Sequence, residues 1–360
     1  MSKNNLFKIA IVACIASLTG ISCSKTADDQ PTPSVNVPND LSQSQSIVSA
    51  ASTKISVAGS NLQLGINGHP LGDAPYIATP ATKQIQLLKD MGMNWYRINV
   101  TSMADGSITV PKLFSPLLTA AAAGNVHLLP MLYPRTLSYS VSESASYKAG
   151  KEVGANFAAK YGKYFSYYEL GNDLDLKALL PNTTGAAQAN YDRTKFNIIA
   201  AYLKGMDEGI KSKDAGAKTI ISAGWLHYGF LRMLDWYGVK FDVVGYKWYS
   251  EMEAIAPNPP NDIPDITVKL SSLFPGKPIW IVEANSRYKA VSTYEQSQNT
   301  FLTNFIAKCK KNPQVKVFLV YELFNEPYKS TLEGNYGILK WTTQYTKWAN
   351  KTVANNLLIN

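Results

Sequence analysis

Cysteine is scarce in this 360-residue chain, which contains three, at positions 14, 23 and 309. Cys14 and Cys23 both fall in an N-terminal segment that we interpret below as a removable signal and its attachment point. Cys309 is then alone, which excludes a disulfide and a metal site built from cysteines. It lies in an apolar run at helical spacing, so we predict a buried thiol in the core of the domain.

Aromatic residues are absent between Ser24 and Ser60, where Ser, Asn, Gln, Pro and Asp predominate. A segment of this composition buries too little apolar area to offset the entropy lost on ordering. We therefore predict that residues 23–60 form a flexible linker and that the folded domain begins after it.

The N-terminus lacks an apolar run long enough to span a membrane. Lys3 and Lys8 precede a shorter apolar run over 9–21, and a core of roughly 7–15 apolar residues after a positive start is typical of a secretory signal. The sequence Gly-Ile-Ser-Cys at 20–23 resembles the lipobox of a bacterial lipoprotein, and residues 25–29 resemble the acidic export tag of Bacteroidetes surface lipoproteins. This resemblance implies that residues 1–22 are removed and that Cys23 carries a lipid anchoring the protein to the outer membrane or cell surface. An ordinary signal with an incidental cysteine is the alternative.

Clusters of basic residues are also absent, although the formal net charge is +9. Lys and Arg are scattered along the chain, whereas a nucleic-acid interface gathers them on one face. We therefore expect no nucleic-acid partner. A cationic surface is compatible with anionic polysaccharides, but charge alone does not identify one.

Residues 61–360 have the size of a single (β/α)8 barrel, for which roughly 250 residues are typical. Short apolar, β-prone runs alternate with longer amphipathic stretches, a pattern typical of parallel strands joined by helices. The predicted strands are 62–66, 95–100, 126–132, 167–170, 219–223, 241–246, 279–283 and 317–322.

Helical patterns fall between these runs. The periodicity predicts helices over 83–91, 187–211 and 294–310, with helix ends at Gly124 and Gly238. A doubly wound open sheet is the main alternative, and it usually carries a Gly-rich phosphate turn after its first strand. Residues 65–70, Gly-Ile-Asn-Gly-His-Pro, are not such a turn, so we favour the barrel.

Two of the predicted strands lead directly to carboxylates. The strand at 167–170 is followed by Asp173, and the strand at 279–283 ends at Glu283. The C-terminal ends of barrel strands meet at one face, where barrel enzymes place their chemistry. Two carboxylates across a cleft can cleave a glycosidic bond, because one protonates the leaving oxygen and the other attacks the sugar or activates water.

Motifs at five strand ends resemble those of the glycoside hydrolase clan that includes families 5, 39 and 53. They are Asn-Trp-Tyr-Arg-Ile at 94–98, Glu-Leu-Gly-Asn-Asp at 169–173, Asp-Val-Val-Gly-Tyr-Lys-Trp-Tyr at 242–249, Trp-Ile-Val-Glu at 280–283 and Tyr-Glu-Leu-Phe-Asn-Glu-Pro at 321–327. The resemblance implies a retaining mechanism with Glu283 as nucleophile and Asp173 as acid/base. It also implies that Arg97 and Tyr249 hydrogen-bond Glu283, and that Asn172 binds the sugar 2-hydroxyl.

Other strand-end side chains are candidates for binding the sugar. They are His227, Lys247, Trp248 and Tyr321, with His69 as a further donor. Aromatic rings near the strand ends suit the apolar C–H faces of sugars; these are Tyr133, Trp225, Tyr228, Trp248, Tyr288, Tyr321 and Phe324. Glu322, Asn325 and Glu326 are assigned to substrate contact or loop structure. We expect a carbohydrate substrate, a monomer, and no metal or cofactor.

Two positions depart from the clan pattern. Asp173 stands where the clan has Glu, and the lost methylene withdraws the carboxyl by about 1.5 Å. This predicts a gap to Glu283 wider than the roughly 5–5.5 Å of retaining enzymes, unless a backbone shift or Asp175 compensates. Lys247 replaces a histidine, and a lysine there either favours an ionised Asp173, which opposes proton donation, or recognises an acidic sugar.

Three functions therefore remain open from the sequence. The first is a retaining glycosidase with an unusual Asp acid, and the second is a non-catalytic carbohydrate-binding pseudoenzyme at the cell surface. The third is a barrel lipoprotein with a different chemistry or a structural role.

Overall fold

The structure is a computed structural model, and it describes residues 54, 55, 57 and 59–358. The predicted signal over 1–22, the lipidation site Cys23 and almost all of the linker over 23–60 lie outside these residues. None of the helices in the described part is both long and apolar enough to cross a membrane.

Eight parallel strands form a closed barrel in chain order, and β8 pairs with β1 to complete it. The strands are β1 Gln63–Gly68, β2 Trp95–Thr101, β3 His127–Tyr133, β4 Tyr167–Leu170, β5 Lys218–Gly224, β6 Val243–Tyr249, β7 Ile279–Asn285 and β8 Val315–Val320. A closed parallel barrel with intervening helices is the predicted (β/α)8 architecture, and the open sheet is excluded.

Helices connect the strands. They are α1 Ala74–Ile77, α2 Ala81–Asp90, α3 Pro111–Gly124, α4 Glu143–Tyr161, α5 Leu174–Ala178, α6 Arg193–Lys213, α7 Tyr228–Tyr237, α8 Ser250–Ile255, α9 Ile266–Leu273, α10 Tyr294–Lys311 and α11 Thr352–Leu357. An antiparallel hairpin of β9 Leu339–Thr343 and β10 Lys347–Asn350 follows the barrel.

Two predicted strands have bounds that matter for the site. The sixth strand was predicted at 241–246 but runs to Tyr249, so Lys247 and Trp248 lie on the strand itself. The eighth was predicted to reach Glu322 but ends at Val320, so that acid lies in the following loop.

The helix predicted over 187–211 begins later than expected. Residues Gln188–Asn190 form a single 3-10 turn, and α6 starts at Arg193 because Asp192 caps it, accepting from the backbone N–H of Lys195 at 3.0 Å. Gly238 ends α7 with a φ of 92°, as predicted. Cys309 on α10 is fully buried, which confirms the predicted core thiol.

Two layers of side chains fill the barrel interior because the strands alternate with a period of two. An aromatic layer is followed by an ionic layer nearer the C-terminal ends of the strands. Trp95, Tyr167 and Trp280 pack inside the barrel, with ring centroids of Trp280 4.7 Å from Trp95 and 4.6 Å from Tyr167. Arg97 and Glu169 come two residues after Trp95 and Tyr167, so they share the same inner strand faces, nearer the C-terminal ends. The barrel interior therefore presents charge at its mouth.

Candidate active site

Arg97 is the centre of a buried ionic network at the mouth of the barrel. Its Nε and Nη2 atoms donate to the two carboxylate oxygens of Glu169, at 2.5 and 2.9 Å. Its Nη1 donates to Asn67 and to Glu283, each at 2.7 Å. Ser222 also donates to Glu169 at 2.7 Å. Because Glu169 is fully buried and bidentate to Arg97, its charge holds the guanidinium in position.

Glu283 reaches this network because of a β-bulge in β7. The pairing of β6 with β7 skips one residue of β7 just before Glu283, which lies opposite Lys247. Val282 packs in the inner core, so regular alternation would turn Glu283 away from the barrel interior. The bulge returns the carboxylate to the inner side, where it contacts Arg97.

The carboxylate of Glu283 is buried between two cations. Its Oε1 lies 2.7 Å from Arg97 Nη1 and 3.2 Å from Lys247 Nζ, and the Tyr249 hydroxyl donates to Oε2 at 3.4 Å. Burial alone would raise the pKa of Glu283, but Lys247 and Arg97 outweigh burial and the pKa is lowered. Glu283 is therefore ionised at neutral pH, the state that a nucleophile needs.

Asp173 follows β4 in a left-handed backbone conformation, with a φ of 52° that Asp tolerates better than most residues. Its Oδ1 accepts from Lys247 Nζ at 2.6 Å, and its Oδ2 accepts from Asn172 Nδ2 at 2.7 Å. Burial raises the pKa of Asp173, Lys247 lowers it and Glu283 raises it again, and the net result is a raised pKa. The predicted effect of Lys247 is present, and burial together with Glu283 acts against it.

Lys247 bridges the two carboxylates. The nearest oxygens of Asp173 and Glu283 can be no further apart than the sum of their 2.6 and 3.2 Å distances to Lys247 Nζ, about 5.8 Å. The two carboxyl groups therefore face one another across a single ammonium group, as a two-carboxylate mechanism requires. The gap predicted to be wider than in retaining enzymes stays a prediction, and the left-handed turn at Asp173 is the backbone conformation from which its carboxylate reaches Lys247.

Asn172 joins the same network, whereas Tyr321 lies apart from it. The Asn172 Oδ1 accepts from Lys247 at 2.7 Å and from Arg97 at 3.1 Å. Tyr321 follows β8, is 8% exposed and packs edge-on against Tyr336 at a centroid distance of 5.7 Å. No polar contact between Tyr321 and the two carboxylates is seen among the described residues.

Two predicted sugar-binding residues have buried side chains that pair with acids, which corrects their assignment. His227 is 2% exposed, and its Nδ1 lies 2.7 Å from Asp175. Trp248 is fully buried and donates through Nε1 to Glu253 at 2.7 Å. Trp248 follows Lys247 on the same strand, so when Lys247 points into the barrel, Trp248 must point outward into the core beneath the helices.

Asp175 cannot replace Asp173 as the acid. It is buried, pairs with His227, and accepts from the backbone N–H of Gly224 at 3.3 Å. Burial alone would raise its pKa, but the hydrogen bond from His227 and the charge of Lys247 help to lower it. A buried, ionised carboxylate with these partners accepts structural hydrogen bonds and has no proton to donate.

The aromatic residues predicted at the mouth divide into two groups. Tyr133 is 36% exposed, and Trp225 and Tyr288 are half-buried, so their rings are accessible. Phe324 is fully buried against Trp341, with ring centroids 4.9 Å apart, and belongs to the core.

A second buried ionic group was not predicted as a unit. It lies in the loops that follow β1 and β8, and its members are His69, Asp73, Glu322, Glu326 and Lys329. His69 Nδ1 is 2.8 Å from Glu326, 3.0 Å from Glu322 and 3.2 Å from Asp73. Ligand atoms of His69, Glu322 and Glu326 all lie within 4.8 Å of one another, a grouping that could hold a metal ion.

Sequence reasoning also missed the supporting roles of Asn67, Glu169 and Ser222. Each is a polar residue on an inner strand face, one or two residues from apolar core positions. Such a residue in an otherwise apolar strand is the signal that could have identified them, because buried polar groups need partners.

No protein-family model matches the chain, and no curated protein matches it in sequence. Among solved structures, the family 39 glycoside hydrolase of the gut symbiont Bacteroides cellulosilyticus WH2 has a TM-score of 0.60 and 15% identity, over 82% of this chain and 62% of that one. The family 1 β-glucosidase of Thermotoga maritima has a TM-score of 0.59 and 10% identity, over 82% of this chain and 96% of that one. A Thermotoga maritima β-glucosidase in complex with noeuromycin has a TM-score of 0.61 and 11% identity, over 86% of this chain and 100% of that one.

This chain therefore spans less than two thirds of the family 39 enzyme but almost the whole of the two Thermotoga maritima β-glucosidase structures. Identities this low establish likeness of fold. The chain shares its closed barrel with glycoside hydrolases of families 39 and 1.

Proposed function

We propose that this protein is a retaining glycoside hydrolase in which Glu283 is the nucleophile and Asp173 is the acid/base. The observation that carries the proposal is the pair of carboxylates held at one ammonium group, with pKa values shifted in opposite directions. Neighbouring carboxyl groups whose pKa values are pushed apart supply one base and one acid near neutral pH. The fold shared with glycoside hydrolases adds support.

In the first step, ionised Glu283 attacks the anomeric carbon while Asp173 gives its proton to the glycosidic oxygen. The bond from the anomeric carbon to that oxygen breaks, and a covalent ester between the sugar and Glu283 forms. Arg97 and Tyr249 orient the attacking carboxylate, since each donates a hydrogen bond to it.

In the second step, the Asp173 carboxylate takes a proton from water, whose oxygen attacks the anomeric carbon and releases Glu283. Lys247 supports the change of Asp173 from acid to base between the two steps. Its ammonium group, 2.6 Å from Asp173, stabilises the carboxylate that remains once the proton has left. Lys247 therefore sets the balance between the acid and base forms of Asp173.

The substrate we propose is an oligo- or polysaccharide, bound at the mouth of the barrel without a cofactor in this chemistry. We assign Asn172, which contacts the acid, to the sugar 2-hydroxyl, as the sequence resemblance implies, and the partly exposed aromatic residues Tyr133, Trp225 and Tyr288 to stacking on the sugar. His227 and Trp248 are left out of this set because both are buried.

Covalent trapping tests the proposal. The protein is incubated with activated 2-deoxy-2-fluoro aryl glycosides of several sugars, and its peptides are analysed by mass spectrometry. We expect a label on Glu283, no label in Glu283→Gln, and an unchanged label in Glu251→Gln, a nearby acid paired with Arg287. A label on another carboxylate would show that Glu283 is not the nucleophile. If no glycoside of the panel labels the protein or is turned over, the proposal that it is an enzyme is wrong.

A carbohydrate-binding role without catalysis is the second candidate, and the observation behind it is the ion pair of Asp173 with Lys247, which opposes proton donation. Activated aryl glycosides separate the two candidates, since their leaving groups need little protonation. A working Glu283 releases such a leaving group. A pure binder releases nothing and still gives a calorimetric binding signal with oligosaccharides.

We also propose that Cys23 carries a lipid and holds the protein at the outer membrane or cell surface. The support is the sequence pattern of the N-terminus. This proposal is independent of the catalytic one, because the anchor and the two carboxylates lie in different parts of the chain.

A further inference from the structure

We propose that His69, Glu322 and Glu326, together with Asp73, bind one divalent metal ion, with Zn²⁺ the best match. The site is separate from the two proposed catalytic carboxylates and does not depend on the proposed function. It joins the loop after β1 to the loop after β8, where the closed barrel brings its first and last strands together.

The spacing of the donor atoms suits one small ion. His69 Nδ1 lies 2.8, 3.0 and 3.2 Å from oxygens of Glu326, Glu322 and Asp73. Neighbouring ligand atoms of tetrahedral zinc, with bonds of about 2.0–2.2 Å, are roughly 3.3–3.5 Å apart. His69 Nδ1 is thus slightly closer to each oxygen than neighbouring zinc ligands are, and the ligand atoms of His69, Glu322 and Glu326 lie within 4.8 Å of one another, so small side-chain movements would admit the ion.

The backbone that carries the donors is held by hydrogen bonds of its own. Asp73 N–H donates to His69 C=O at 3.1 Å, so both side chains arise from one turn. Glu326 N–H donates to Gly334 C=O at 3.0 Å, and Ile338 N–H donates to Glu322 C=O at 2.9 Å. The donors are thus placed by the fold itself, as a binding site requires.

Neighbouring groups orient the carboxylates and leave oxygens for a ligand. Lys329 Nζ lies 2.5 Å from Glu326 Oε2, so Oε1 of the same group is directed to His69. Tyr76 donates to Glu322 Oε2 at 3.3 Å, whereas Oε1 of this fully buried acid has no hydrogen-bond partner among the described residues. Buried carboxylate oxygens without partners are costly, and a bound cation removes that cost.

Charge and donor type point to the same class of ligand. Beside His69 the group holds three carboxylates and one lysine, an excess of acidic groups that suits a cation. An imidazole nitrogen combined with carboxylate oxygens suits Zn²⁺, whereas Mg²⁺ and Ca²⁺ prefer sites made entirely of oxygens.

Metal analysis of the full-length protein tests the proposal. Protein purified without chelators is examined by elemental mass spectrometry, then stripped with EDTA and titrated with ZnSO₄ by calorimetry. We expect one Zn²⁺ per chain, no competition from excess Mg²⁺, and a Tm raised by several degrees at saturation. Glu326→Gln and His69→Asn should each weaken binding at least 10-fold, because each removes a ligand.

His127→Asn is the matched control, because His127 is an exposed imidazole at the opposite end of the barrel. Its affinity for Zn²⁺ should equal that of the wild type. Circular dichroism checks the fold of each variant, and if a ligand variant does not fold, the visible absorption of Co²⁺ bound to the stripped wild type decides the coordination. Three results would each overturn the proposal. They are no uptake of Zn²⁺ by the wild type, wild-type affinity in folded His69→Asn and Glu326→Gln, and a Co²⁺ spectrum typical of a hydrated ion rather than a protein-bound one.

Discussion

Replacing Lys247 with Met should move the whole pH profile of catalysis to higher pH. Lys247 Nζ is buried and lies 2.6 Å from Asp173 and 3.2 Å from Glu283, so it favours the ionised form of both carboxyl groups. The acidic limb of kcat/KM reports ionisation of Glu283, and the basic limb reports loss of the proton from Asp173. Since Lys247 lowers both pKa values, its removal raises both, and both limbs move upward.

The size of the shift follows from the contacts. A cation within about 4–6 Å lowers a carboxyl pKa by about 1–3 units. The side chain of Asp173 is 28% exposed, and Glu283 keeps its contact with Arg97, so solvent and the remaining cation reduce the effect. We therefore expect each limb to move by about 1 unit, near the lower end of that range.

The assay is kcat/KM for an aryl glycoside measured from acid to alkaline pH in the wild type, Lys247→Met and Lys247→Arg. Lys247→Arg keeps the positive charge and should leave the limbs near their wild-type positions. Removing one partner of a buried ion pair costs up to about 3–5 kcal/mol, so melting curves must show that each variant is folded at the assay temperature. A basic limb that stays in place or moves downward in folded Lys247→Met would refute the role assigned to Lys247.

Four further substitutions test the proposed roles. Glu283→Gln should abolish turnover of every substrate while retaining a native circular dichroism spectrum, and substantial remaining activity would leave Glu283 only a binding role. Asp173→Ala should slow natural glycosides on the order of 10²–10⁴-fold while slowing activated aryl glycosides far less, with azide partly restoring turnover of the latter; equal losses on both substrate types would contradict an acid/base role. Asp173→Glu should lower activity for two reasons. Its carboxyl reaches about 1.5 Å further towards Glu283, whose nearest oxygen is at most about 5.8 Å from that of Asp173, and Glu in a left-handed turn costs about 1–2 kcal/mol. A faster enzyme would show that the reach of Asp173 limits the wild type. Cys23→Ser should move the folded protein from the membrane fraction to the soluble one, and a variant that stays in the membrane fraction would disprove the lipid anchor.

The architecture was predictable because its signals are local. Apolar β-prone runs, amphipathic stretches and their alternation predict a parallel barrel, and the structure has its eight strands close to those positions. Errors arose where capping or register decides the bounds. Asp192 starts α6 later than the apolar period suggests, and β6 extends to Tyr249, past the end of its most apolar residues.

Part of the candidate site was predictable for the same reason. Carboxylates placed at the ends of apolar strands must lie at one face of a barrel, which identified Asp173 and Glu283. The resemblance to the glycoside hydrolase clan also implied hydrogen bonds from Arg97 and Tyr249 to Glu283, and the structure contains both. These contacts depend on strand order and on position along each strand, which a sequence pattern carries.

What remained undetermined depends on which way a side chain points and on which distant residue it meets. The bulge in β7 turns Glu283 inward, and alternation along β6 sends Lys247 into the barrel and Trp248 into the core. Neither outcome is visible without the register of the neighbouring strand.

The sequence by itself determined the strands and their order, because these follow from periodicity and from chain order in a closed barrel. Only the tertiary structure decided that Lys247 bridges Asp173 and Glu283, because contact distance depends on register and on backbone conformation at single residues. Only closure of the barrel brought His69 to Glu326, which is 257 positions away, since strand β1 meets β8 at the seam.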